Sequence, residues 1–317
     1  MNQSRKYKPE ELQELENQSN QFHEALFSKS IDEDTIVKIL SNTTNEERQI
    51  IRNYYKKSFN HSIESDIISQ LNGKLKEVSI DIFDTPYEYD ARELHTALNS
   101  FTNDDITIVE IFASRPKMHL EIVDIAYKKF FKISLREDIQ KQSSKEYSQF
   151  LLSLMDLERP IDQTITGKEA YEIANELIMK GLRIYGKDIN LFKKVFVEKS
   201  REDLIIISRA YYEKNKKSLY DAIDSEVEGK NRRLLKGLLF AIITPAQWFA
   251  KKCYKVLQGT GGNYKTLCRI LISRSEIDMY AIRDYYFMET NHNINNDIEE
   301  EITGAFGQIL INLSLKQ

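Results

Sequence analysis

The chain has 317 residues, with 45 lysines and arginines against 49 aspartates and glutamates, for a net charge of -4. That balance excludes the strongly basic footprint of a dedicated nucleic-acid binder. Glycine (11) and proline (5) make up about 5% of the residues against an average near 12%, which excludes turn-rich sandwiches and barrels and points to an all-α fold.

In chain order, residues 1–20 form a short N-terminal segment whose opening, MNQSRKYKPEELQELENQ, lacks the apolar run of a signal peptide. Four similar segments follow. They read TIVKILSNTTNEERQIIRNYY from Thr35, TIVEIFASRPKMHLEIVDIAY from Thr107, NLFKKVFVEKSREDLIIISRAY from Asn190 and KTLCRILISRSEIDMYAIRDYY from Lys265. Their anchors are Tyr55, Tyr127, Tyr211 and Tyr286, expected in the core, and seven residues after each come Ser62, Ser134, Ser218 and Asn293. An apolar residue follows at once in every case: Ile63, Leu135, Leu219 and Ile294. A shared register over this distance marks a repeat architecture.

The repeats are expected at residues 21–87, 88–159, 169–244 and 245–317, with 160–168 as a linker. The linker starts at Pro160, where proline and a polar, β-branched run interrupt the helical pattern. Within a repeat the apolar spacing is helical: Leu267, Ile270 and Leu271, then Ile277, Tyr280 and Ala281, are expected to face inward. Short amphipathic helices of this kind bury their faces only by stacking on neighbours.

Glycines gather where two of the repeats have a loop. In the fourth, Leu257-Gln-Gly259-Thr-Gly261-Gly262 separates two helical stretches, and Glu301 lies 40 residues after Gly261. In the third, Gly181-Leu-Arg-Ile184-Tyr-Gly186 occupies the matching place, and Glu226 follows Gly186 by the same 40. Glycine lets a loop turn its carbonyls outward, and a returning carboxylate closes the ring; several hard oxygens of this kind suit Ca²⁺.

This pattern resembles the annexins: Leu-x-Gly-x-Gly, a helix ending in Ser-Arg-Ser-Glu-Ile-Asp (Ser273 to Asp278), an acid 40 residues on, and four repeats with a longer joint between the second and third. The alpha-giardins are protist relatives of that kind. The resemblance implies a curved disc of four five-helix repeats whose calcium loops dock on anionic, phosphatidylserine-like phospholipid. It further implies calcium ligands at the carbonyls of Leu257, Gly259 and Gly261 with the Glu301 carboxylate, and at those of Gly181, Ile184 and Gly186 with Glu226. Tyr185 and Thr260 would meet the membrane at the loop tips. The first two repeats depart from the pattern: Ser28-Lys-Ser30-Ile31 with Gln70, and Ser100-Phe-Thr102-Asn103 with Gln142, replace glycines and acid together. Neither is expected to bind calcium in this way, and nearby Asp32, Glu33, Asp104 and Asp105 are better explained as acidic first turns of helices.

Other readings are weaker. Gly259-Thr-Gly-Gly-Asn-Tyr-Lys265-Thr266 misses the phosphate-loop pattern at Tyr264, and a helical pattern precedes it where such a loop follows a strand. The five histidines are scattered, with no metal-ligand spacing. Cys253 and Cys268 are too few for a disulfide framework and are expected as free thiols in a reducing cytoplasm. No run of about 18 apolar residues exists to span a membrane. The chain is therefore expected to be no enzyme but a cytoplasmic, calcium-dependent peripheral membrane protein, the alternative being a calcium-independent helical scaffold with a cytoskeletal partner.

Overall fold

The computed structural model describes residues 6–100, 104–182, 189–259 and 264–316. Among these there are twenty α-helices and no strand. The first repeat holds α1 (Pro9–Phe27), α2 (Glu33–Asn42), α3 (Asn45–Phe59), α4 (Ile63–Gln70) and α5 (Gly73–Phe83). The second holds α6 (Pro86–Asn99), α7 (Asp105–Ser114), α8 (Lys117–Phe131), α9 (Leu135–Gln142) and α10 (Lys145–Asp156). The third, after a helix-free stretch from 157 to 166, holds α11 (Gly167–Lys180), α12 (Ile189–Phe196), α13 (Arg201–Asn215), α14 (Leu219–Glu226) and α15 (Gly229–Ile243). The fourth holds α16 (Pro245–Leu257), α17 (Lys265–Arg274), α18 (Met279–Thr290), α19 (Ile294–Glu301) and α20 (Gly304–Ser314).

Local chemistry sets these boundaries identically in each repeat. The third helix ends on a left-handed residue, Asn60, Lys132, Lys216 or Asn291, five positions after the anchor tyrosine. Two residues later the chain meets the N-cap of the fourth helix. Ser62, Ser134 and Ser218 accept the amide of the residue three on, and Asn293 accepts that of Asn295. Each cap satisfies an amide that the helix leaves without a partner. The apolar residue that follows the cap is buried in all four repeats, and so are the anchors Tyr55, Tyr127, Tyr211 and Tyr286. Asp32 and Asp104 likewise cap α2 and α7, through Thr35 in the first case and Ile106 with Thr107 in the second.

One expected core stripe is misplaced. Ile277 and Tyr280 are 64% and 56% exposed, and the inward face of α18 carries Met279, Ile282 and Tyr286 instead. A turn over residues 275–278, braced by Arg274 donating to Asp278 at 2.6 and 2.8 Å, separates α17 from α18 and resets the helical phase.

The chain divides into two compact units. One combines Met1–Pro86 with Phe249–Gln317, so the first and fourth repeats share a core; the other is Tyr87–Trp248, holding the second and third. In the first unit α20 packs on α2, and in the second α15 packs on α7. The α7–α15 approach requires Gly237: a Cβ there would lie 2.3 Å from the Val109 side chain.

Candidate metal centres

The third repeat brings the start of its expected loop to its acid. α11 ends at Gly181, whose amide bonds to the Leu177 carbonyl and whose φ of +71° is a conformation L side chains rarely adopt. The next amide, Leu182 N–H, donates to Glu226 Oε2 at 3.1 Å. Glu226 closes α14, a helix positioned by its Ser218 cap and by buried Leu219, Ala222 and Ile223. Its charge is felt below: burial, then the Glu226 carboxylate, raise the Tyr211 phenol above its ordinary range. Ile184, Tyr185 and Gly186 lie outside the described residues.

In the fourth repeat α16 ends at buried Leu257, and Gly259 N–H turns back to the Val256 carbonyl at 3.2 Å. A Cβ on Gly259 would sit 3.3 Å from the Lys255 carbonyl oxygen, tighter than nearly all real contacts. On the far side of the loop, the Tyr264 hydroxyl donates to the Glu301 carbonyl at 3.3 Å, tying the start of α17 to the end of α19. Glu301 itself is exposed. Thr260 and Gly261 lie outside the described residues.

The first two repeats have spent the same groups internally. The Ser28 hydroxyl sits against the carbonyls of Ala25, at 3.0 Å, and Ser30, and Gln70 turns to its neighbour Ser69. In the second repeat Ser100 bonds to the Ala97 carbonyl, and the Gln142 amide donates to Asn99 Oδ1 at 3.0 Å. Thr102 and Asn103 lie outside the described residues. Among the described residues no cluster of three or more His, Cys, Asp or Glu side chains could hold a metal ion. Main-chain oxygens with a single carboxylate are a donor set that suits calcium, whereas zinc favours Cys and His ligands.

The annexin family profile matches residues 18–82, 89–154, 174–238 and 248–313. The chain belongs to the annexin family. Among its relatives is annexin A1 of Rattus norvegicus, 30% identical over 291 residues, covering 92% of this chain and 84% of that protein. A solved mutant of annexin A8 with an intact N-terminus matches with a TM-score of 0.89 at 26% identity, covering 98% of this chain and 96% of that one. Calcium-bound alpha-14 giardin shares the fold at a TM-score of 0.78 and 14% identity, covering 96% of this chain and 100% of its own. The family is one of calcium-dependent phospholipid-binding proteins.

In this annexin each anchor tyrosine has a partner that sequence reading missed. Tyr55 and Tyr286 donate to buried Asp66 and Asp297 at 2.5 Å, and Tyr127 donates to Asp138. These aspartates stand eleven residues after the anchor and four before the loop-closing position, a spacing visible in the sequence once three repeats are compared. Burial, reinforced by the aspartate, pushes all three phenols far above the ordinary tyrosine range. The third repeat has Ala222 there, and Tyr211 accepts from Asn215 at 3.1 Å instead. The five histidines, scattered in sequence, all face buried aspartates or anchors: His23 and His61 at Asp66, His95 at Asp138, His292 at Asp297 and His119 at Asp90.

Proposed function

We propose that this annexin binds anionic phospholipid membranes in a calcium-dependent way through the loops of its third and fourth repeats. The observation that supports the reading most directly is the third-repeat contact: a glycine in a conformation reserved for glycine, followed at once by an amide on the Glu226 carboxylate. Carbonyls of Gly181, Ile184 and Gly186 with Glu226, and of Leu257, Gly259 and Gly261 with Glu301, would hold the ion. Calcium takes 6–8 oxygens, so coordination positions left open by the protein accept lipid phosphate and bridge the two. Tyr185 and Thr260 would touch the headgroups. The chain is on this reading a binding protein and not an enzyme, peripheral to the cytoplasmic face of a membrane, with a cytoskeletal partner as a further role. Among the described residues no helix is long and apolar enough to cross a membrane.

A single carboxylate per site supplies little charge, which places calcium affinity without lipid toward about 10⁻⁴–10⁻³ M. Lipid raises that affinity by the same factor by which calcium raises lipid affinity. The test is co-sedimentation with phosphatidylserine vesicles. Wild type should pellet at millimolar calcium and remain in the supernatant with chelator, and Glu226→Gln with Glu301→Gln should lose the calcium response. Full calcium-dependent pelleting by the double variant would show that the sites lie elsewhere.

A further inference from the structure

The unit formed by the second and third repeats contains a cavity of about 500 Å³, within the 300–1,000 Å³ typical of small-ligand sites. It lies between the α7–α8 turn, the residues after α10 and the α12–α13 turn. Its floor is apolar: Phe112, Val197 and Leu238 are each no more than 2% exposed. Leu157 and Ile161, 40% and 88% exposed, continue that surface toward the solvent. Its wall is cationic, with Arg115, Lys117, Arg159 and Arg201 against the single acid Glu158.

Arg159 is the unusual member. Its guanidinium donates to the carbonyls of Phe196, which ends α12, and of Lys199 beyond it, and among the described residues no carboxylate pairs with it. The other unit provides a control. Arg48 donates to the Leu40 and Thr43 carbonyls at the corresponding end of α2, and there the Glu276 carboxylate stands 3.2 Å away as counter-charge. The same cap thus carries its anion in one unit and lacks it in the other. Desolvation without a compensating charge draws the Arg159 pKa down to about 10. Arg115 is already matched by Asp90 at 2.7 Å, and Lys117 faces Glu121 at 3.5 Å. Among the described residues Arg201 holds the Ile243 carbonyl and meets Glu202 at 3.5 Å.

We propose that this cavity binds a single-chain anionic amphiphile without calcium, its carboxylate or phosphate head at Arg159 and Arg201 and its hydrocarbon tail over the exposed side chains of Leu157 and Ile161, above the floor of Phe112, Val197 and Leu238. A charged head supplies the missing counter-ion, and charge-assisted hydrogen bonds to guanidinium groups are the strong class. The tail removes apolar surface from water.

The experiment is calorimetric titration of the full chain in chelator, below micelle-forming concentrations, with dodecanoate, dodecyl phosphate, inorganic phosphate and dodecyl maltoside. Both anionic amphiphiles should bind, whereas inorganic phosphate and the neutral detergent should not. Arg201→Ala and Ile161→Glu, both at exposed side chains and so compatible with folding, should each weaken dodecanoate roughly tenfold or more. Equal binding of dodecyl maltoside, saturable binding of inorganic phosphate alone, or unchanged affinity in both variants overturns the proposal. Because chelator silences calcium-dependent docking, failure here leaves the membrane reading untouched.

Discussion

The first and third repeats share helices, caps and a buried anchor tyrosine, yet differ at the loop after their first helix. In the third, the main chain turns through Gly181 to reach a carboxylate. In the first, Ser28 covers the carbonyls of its own loop, and a half-buried Gln70 stands where the acid would be. Both repeats keep the serine cap of the fourth helix and the buried anchor despite the change. Binding capacity and folding are thus carried by different residues, and the two should be separable by mutation.

The largest expected effect on the scaffold side is at Asp90. This buried carboxylate accepts from Arg115 at 2.7 and 3.1 Å and faces His119 at 2.7 Å. Burial works to raise its pKa, but Arg115 first and His119 next outweigh it and hold the value at about 2, against 3.8 ordinarily. A depressed carboxylate pKa contributes stability that is complete above about pH 4 and is lost as pH falls toward 2, worth about 2 kcal/mol. Asp90→Ala leaves Arg115 buried without its partner and should cost about 3–5 kcal/mol, read as a lower urea midpoint. The acid limb of its stability profile should flatten as well. Folded variant should still pellet with vesicles in calcium. Loss of the calcium response at unchanged helicity would break the separation of loop from scaffold.

A smaller effect sharpens the comparison among repeats. Tyr286→Phe removes a bond to buried Asp297 and should cost about 1–3 kcal/mol, while Tyr211→Phe gives up only a neutral amide donor and should cost about 0.5–1.5 kcal/mol. Urea titrations of the two variants decide it. Equal losses would mean that Ala222 has not changed how the third anchor is held.

The repeats, their caps and their anchors were legible in the sequence because each depends on short-range spacing: a serine or asparagine seven residues past a tyrosine is a local signal. The approach of the third loop to its acid was suggested by the equal spacing in two repeats, and the structure describes one part of it, the Leu182 amide on Glu226. The inward stripe of the last repeat was not, because the turn braced by Arg274 and Asp278 shifts the helical phase by an amount that apolar periodicity does not reveal. Nor was the sharing of one core by the first and fourth repeats, which depends on contacts between distant segments. Arg159 fell at the last position of the second repeat, beside the linker, and its want of a carboxylate among the described residues shows only beside Arg48.

The smallest expected effect is the most demanding test of the loop comparison. Gln70→Glu restores the acid in the first repeat but leaves the Ser30 carbonyl against the Ser28 hydroxyl, and it leaves side chains where the third repeat has glycine. A lone carboxylate is a poor calcium ligand, so this variant should bind no additional ion when calcium is titrated with phosphatidylserine vesicles present. Adding Ser28→Gly and Ser30→Gly frees the carbonyls and permits the outward turn, and that triple variant should gain one. An extra ion with Gln70→Glu alone would show that the acid limits the first repeat; no gain in the triple variant would show that loop length or residues beyond Ile31 do. With the expected pair of results, backbone conformation is the determinant, and the carboxylate acts only once the loop has presented its oxygens.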